Sequence, residues 1–191
     1  MRRVRTTSTL TVMTGALGRR IATALAVGAA AASVGGGAVA SPARPGFALS
    51  PLERGVLAQI NALRASHDLA ALRPSPALTA SARAHSDEMA AAGYFAHESA
   101  DGTAFRKRIQ RFYPPTGRGY WSVGENLLWS SPDLDARRAL AMWLASPEHR
   151  ANMLDPIWRE IGLSAVHEAA ASGVYHGLEV TIVTTDFGVR R

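Results

Sequence analysis

The chain of 191 residues contains no cysteine. It therefore cannot be a thiol enzyme, cannot ligate a metal through thiolates, and has no disulfides to support a small core. It has one lysine against twenty arginines, a compositional bias that fits a GC-rich bacterial source. Its first forty residues contain no acid. They carry Arg2, Arg3, Arg5, Arg19 and Arg20, then an Ala/Val/Leu/Ile-rich run over 21–34, and end on Ala38-Val39-Ala40. A basic start, a short apolar run and a small-residue cleavage site describe a secretory signal peptide. The apolar run is too short and alanine-rich to span a bilayer comfortably. Arg19-Arg20 would also suit a twin-arginine signal; ordinary secretion is the favoured reading. The expected location is secreted or periplasmic, with no transmembrane segment once the signal is removed.

The whole chain carries 21 basic and 15 acidic residues, a net +6, but residues 41–191 keep 16 basic against 15 acidic, a net +1. The high isoelectric point thus belongs to the leader, and no charge argument for nucleic acid survives. Also missing are G-x-S-x-G, a Walker loop, G-x-G-x-x-G and H-E-x-x-H. The 151 residues that remain suit one domain with a real core. The organisation expected is a signal peptide over 1–40, a flexible Pro/Gly-rich lead-in over 41–50, and a folded domain over 51–191.

Ser-Pro pairs punctuate what is present. "SPLE" predicts a capping box and a helix over about 51–67, and Ser75-Pro76 predicts a second helix ending at Gly93. "TAFRKRIQRF" reads as a short basic surface helix, Ser131-Pro132 as a third helix start, and "SPEHRANML" as a fourth. "GYWSVGENLLWS", "EIGLSAV" (160–166) and "VYHGLEVTIVTTDFG" (174–188) read as strands, the last two forming a hairpin about the loop "HEAAASG". Helices with few strands indicate an α+β fold in which helices cover an antiparallel sheet.

Three polar residues stand where packing prefers otherwise. In the first strand Glu125 shares its parity with Trp121, Val123, Leu127 and Trp129, so a carboxylate points at the apolar face. A buried carboxylate is costly unless paired. A bulge at Gly124 that turns Glu125 to water is the ordinary alternative. His149 lies three residues after the helix cap Ser146, where the helix dipole favours neutral imidazole. His97 lies in the loop "YFAHES" after a helix stop. Each histidine taken alone also suits an ordinary surface position. His176 is a reserve candidate on strand parity, His85 reads as a packed histidine, and Trp143 and Trp158 read as core. "RFYPPTGRGYW" interleaves arginine with aromatics, a pattern that can suit single-stranded nucleic acid, and is read here as a surface loop.

"INALRASHDLAALRPSPALTASARAHSDEMAAAGYFAHES", "GENL", "SPEHRANML", "EIGL" and "TDFG" occur in that order over about residues 53–188. This ordered set resembles the bacterial branch of the CAP, or SCP-like, superfamily of cysteine-rich secretory proteins, venom allergens and pathogenesis-related proteins. The resemblance implies a three-layer α/β/α sandwich with a central antiparallel sheet. It also implies a cleft where His97, Glu125 and His149 converge, which makes them candidate catalytic residues; two imidazoles and a carboxylate also suit a divalent metal such as Zn²⁺. Glu148 does not clearly match the second glutamate of many animal members. Ala100 stands where bacterial members commonly carry proline.

Three functions follow as expectations: an exported protein whose His/Glu cleft binds a divalent cation or small ligand without turnover; a secreted metal-assisted hydrolase; or a lipid-binding or cell-envelope interaction protein. The first is favoured, because no motif marks an oxyanion stabiliser. The expected partner is a small ligand or an envelope component, the expected state a monomer, and no nucleic acid is expected.

Overall fold

The computed structural model describes residues 47–117 and 119–191. The expected signal peptide over 1–40 and the start of the lead-in lie outside the described residues. The lead-in's Leu49 is buried in the core, immediately before Ser50 caps the first helix.

Helix α1 spans Pro51–Ala65. The Ser50 hydroxyl accepts from the Glu53 amide and Glu53 accepts from the Ser50 amide, which is the expected capping box. Strand β1, Arg73–Pro74, precedes helix α2, Pro76–Ala92, which stops where Gly93 adopts a left-handed φ of 66°. Helix α3 is Phe105–Phe112 and strand β2 is Trp121–Ser130. Helix α4, Ala136–Leu144, does not start at Ser131-Pro132 as expected; Asp135 caps it by accepting from the Arg138 amide. Helix α5 is Pro147–Met153, capped by Ser146 as its sequence indicates. Strands β3, Glu160–Ala171, and β4, Leu178–Arg190, complete the chain.

The sheet order is β1-β3-β4-β2. The three long strands are antiparallel, as expected, but β1 adds a two-residue parallel edge that makes the sheet mixed. The hairpin also differs. "HEAAASG" is not its loop; β3 runs on to Ala171, and the turn is a 3-10 segment, Gly173–Tyr175. His167 therefore lies on exposed strand, and His176 lies in the turn at φ 56°, exposed, rather than buried on strand parity. The apolar alternation fades beyond Val166, so burial could not mark a strand that leaves the helices behind.

Alternation along β4 separates two faces. Val183, Phe187 and Val189 join Ile60, Trp143, Met153 and Trp158 under α1, α4 and α5. Ile182 packs with Met89 of α2, while Ile109 of α3 and Tyr113, which follows α3, close the same side. The result is the expected three-layer α/β/α sandwich in an α+β fold. Helix α2 approaches β3 so closely that a Cβ on Gly162 would stand 2.1 Å from the Leu78 carbonyl carbon. Among the described residues no helix is long and apolar enough to cross a membrane.

Candidate functional site

Strand parity places Glu125 inward beside α2 and α3, and no bulge rescues it: β2 and β4 stay in continuous register, with Glu125 opposite Asp186. The Glu125 side chain is 0% exposed. Its Oε1 accepts a hydrogen bond from His97 Nδ1 at 2.8 Å, and its Oε2 accepts from the Arg108 guanidinium. A carboxylate only accepts, so His97 carries its proton on Nδ1, and Nε2 is the ring nitrogen not committed to Glu125. Burial pushes the Glu125 carboxyl up, but the His97 hydrogen bond and the Arg108 charge outweigh burial and hold it below the usual range. His97 remains partly exposed and rests against Phe105, ring centroids 6.1 Å apart.

Arg108 and Asp186 do not stand out in the sequence. "TAFRKRIQRF" reads as a surface helix, yet Phe105, Arg108, Ile109 and Phe112 are spaced along one side of it, and Arg108 and Ile109 are buried. The Arg108 guanidinium also donates to the His97 carbonyl at 2.9 Å and to Ser99 Oγ at 3.2 Å, so it ties the 97–99 loop to β2. Asp186 is 0% exposed. Burial, then the Glu125 charge, push its carboxyl well above the usual range. Ser81 and Glu125 lie beside it, but neither Asp186 oxygen nor the Ser81 hydroxyl has a hydrogen-bond partner of good geometry among the described residues. Two carboxyls buried side by side against one arginine do not both ionise readily. A signal for Asp186 exists in the sequence, a carboxylate on a strand otherwise holding Val180, Ile182 and Thr184 on that face.

His149 comes from the opposite layer. It is the third residue of α5, where its amide donates to Ser146 Oγ at 3.4 Å. Asn126 Nδ2 donates to the His149 carbonyl at 3.0 Å, while Asn152 Nδ2 donates to Asn126 Oδ1 at 2.9 Å and to the Glu125 carbonyl at 3.2 Å. Asn126 thus ties α5 to the strand by amide hydrogen bonds. Gly124 permits the approach, since a Cβ there would meet Asn152 Oδ1 at 2.7 Å and the Trp158 ring at 2.8 Å. Burial, then electrostatic interaction with the nearby His97 ring, push the His149 imidazolium down, so His149 favours the neutral form. Among the described residues nothing hydrogen-bonds its ring. Glu148 is exposed and accepts from the Ser146 hydroxyl. His85 is the packed histidine expected, 0% exposed, with Nε2 donating to the Ala96 carbonyl at 2.9 Å.

A profile of the cysteine-rich secretory protein (CAP) family matches residues 57–185. The chain belongs to the CAP family. Solved structures agree with the fold. An outer surface protein of Borrelia burgdorferi is 19% identical at a TM-score of 0.56, over 72% of this chain and 92% of that one. An extracellular protein containing an SCP domain from Bacillus anthracis is 27% identical at 0.54, over 76% of this chain and 45% of that one, so the CAP chain spans less than half of that relative. A cysteine-rich secretory protein from Staphylococcus aureus is 14% identical at 0.51, over 72% of this chain and 38% of that one. Comparison with curated proteins finds no match.

The expected donor set of His97, Glu125 and His149 fits a divalent metal only in part. Glu125 does not suit direct ligation, because His97 and Arg108 engage both of its oxygens. Among the described residues no three His, Cys, Asp or Glu side chains gather closely enough to hold an ion. The two imidazoles fit better: His97 is oriented by a carboxylate behind it, and His149 favours the neutral form a metal requires.

Proposed function

We propose that the chain is an exported CAP-domain binding protein whose cleft takes a divalent cation, represented by zinc, through the imidazoles of His97 and His149. One observation carries the reading. His97 Nδ1 is fixed 2.8 Å from a fully buried carboxylate, the arrangement that sets the tautomer of a metal-ligating histidine. Glu125 is then the orienting residue and Arg108 holds Glu125. A bound cation would offer open positions to a small polar ligand. The leader-like first forty residues support export, as do relatives described as extracellular, outer-surface and secretory proteins.

Glu125 does not suit the general-base role of a hydrolase. A carboxylate in that role must be free to take a proton near neutral pH. Glu125 has both oxygens engaged and its carboxyl held low. The test is zinc affinity, measured by competition with a chromophoric chelator. His97→Ala and His149→Ala are each expected to abolish saturable binding. Glu125→Gln is expected to weaken it about 10- to 100-fold, the usual effect of losing the carboxylate behind a ligating histidine. Unchanged affinity in all three variants would falsify the assignment.

A further inference from the structure

A second surface, on the exposed positions of the helix that supplies Arg108, is marked by how charge is distributed. Residues 103–124 hold five basic residues and no acid, and 190–191 add two arginines. The rest of 41–191 holds nine basic against fifteen acidic residues. Basic residues are thus concentrated in two short segments of a near-neutral domain.

The fold brings Arg106, Arg190 and Arg191 to one end of the sheet. Trp121, the first residue of β2, pairs with Arg190, the last of β4. Arg106 of α3 lies over the Trp121 ring at 5.5 Å, Arg190 over Tyr113 at 4.0 Å, and Arg191 over Tyr120 at 5.6 Å. Arg106, Lys107 and Arg111 of α3 are exposed, as is Arg191. Exposed apolar rings lie within the strip, Phe112 at 38% and Tyr120 at 49%. Two acids mark its margin: Glu160, which accepts from the Tyr113 hydroxyl, and Asp101, near Arg111.

We propose that this strip docks a flexible anionic polymer of the cell envelope, one with phosphodiester-linked sugar or polyol units. Guanidinium forks match phosphate oxygens, and arginines stacked on rings are held in place to present them. The half-exposed rings offer apolar faces to sugar carbons. The acidic remainder of the domain repels a long rigid polyanion, whereas a flexible chain stays on the strip.

The test uses the full chain and fluorescently labelled poly(glycerol phosphate), read by polarisation. Binding is expected to weaken as salt rises, by counterion release. Arg106→Gln/Lys107→Gln/Arg111→Gln is expected to reduce affinity on the order of tenfold or more, since each of the three cations that pairs with a phosphate contributes its own share of counterion release. Arg83→Gln/Arg137→Gln/Arg138→Gln removes equal charge elsewhere on the exposed surface and is expected to change affinity less than about twofold. All six positions are exposed, and circular dichroism checks that both variants fold. Absence of binding, or equal weakening in the two variants, overturns the proposal. So does tighter binding to vesicles containing anionic phospholipid or to single-stranded DNA than to the polymer, which would assign the strip to a membrane or a nucleic acid.

Discussion

Replacing Arg108 by methionine isolates the charge that the site is built around. Methionine keeps an unbranched stem and a good helix propensity, so α3 and its packing are largely preserved. What disappears is the guanidinium, which bonds Glu125, the His97 carbonyl and Ser99 Oγ from a position only 4% exposed. Glu125, with its side chain fully buried, is then left facing one partner. Removing one member of a buried ion pair costs about 3–5 kcal/mol, because the other charge remains desolvated. Against a total stability of about 5–15 kcal/mol this is a large share. It corresponds to a fall in Tm of roughly 6–20 °C for a domain of this size. Urea titration and thermal melting by circular dichroism measure it. The same account requires non-additivity: Glu125→Gln removes the stranded charge, so Arg108→Met costs less in that background, with a coupling of about 1 kcal/mol or more. A destabilisation below about 1 kcal/mol, as for a surface residue, or strict additivity of the two changes, would refute the reasoning.

Asp186→Asn tests the neighbouring carboxyl. Its folded pKa lies well above the ordinary 3.8, so its contribution to stability is complete below 3.8 and is lost as pH rises through the folded value. The Asn variant, which has no proton to lose, is expected to gain on the parent from pH 4 upward in paired urea titrations; a variant that falls behind as pH rises contradicts the assignment. Gly162→Ala is expected to cost more than about 2 kcal/mol, because its Cβ would lie 2.1 Å from the backbone of α2 and overpacked backbone does not yield easily; a melt within a degree or two of the parent contradicts the close approach.

Much of this architecture is legible in local chemistry. The Ser50 capping box, the Gly93 stop and the Ser146 cap are written in residues a few positions apart, and each is where the sequence puts it. The inward Glu125 is legible from strand parity, and its meeting with His97 from the resemblance. The residues that escape a sequence reading act across the fold. Arg108 is one charge in a basic run, and only the packing of α3 shows which of four basic side chains turns inward. Asp186 becomes a neighbour of Glu125 only when β4 pairs with β2. Ser131-Pro132 looks like the other helix starts, yet Asp135 offers a cap with the first helical turn directly behind it. Strand β1 has two residues, too few for any periodicity.

The central claim is that His97 and His149 act together at one cleft, with Glu125 behind His97. Nitrogen-detected NMR of the imidazole rings during a zinc titration addresses it most directly. The account predicts that ring nitrogens of His97 and His149 shift together and saturate at one equivalent, while the His97 Nδ1 proton persists on its bond to Glu125. Zinc that leaves both rings unmoved, or that perturbs only His67, His167 or His176, would contradict it.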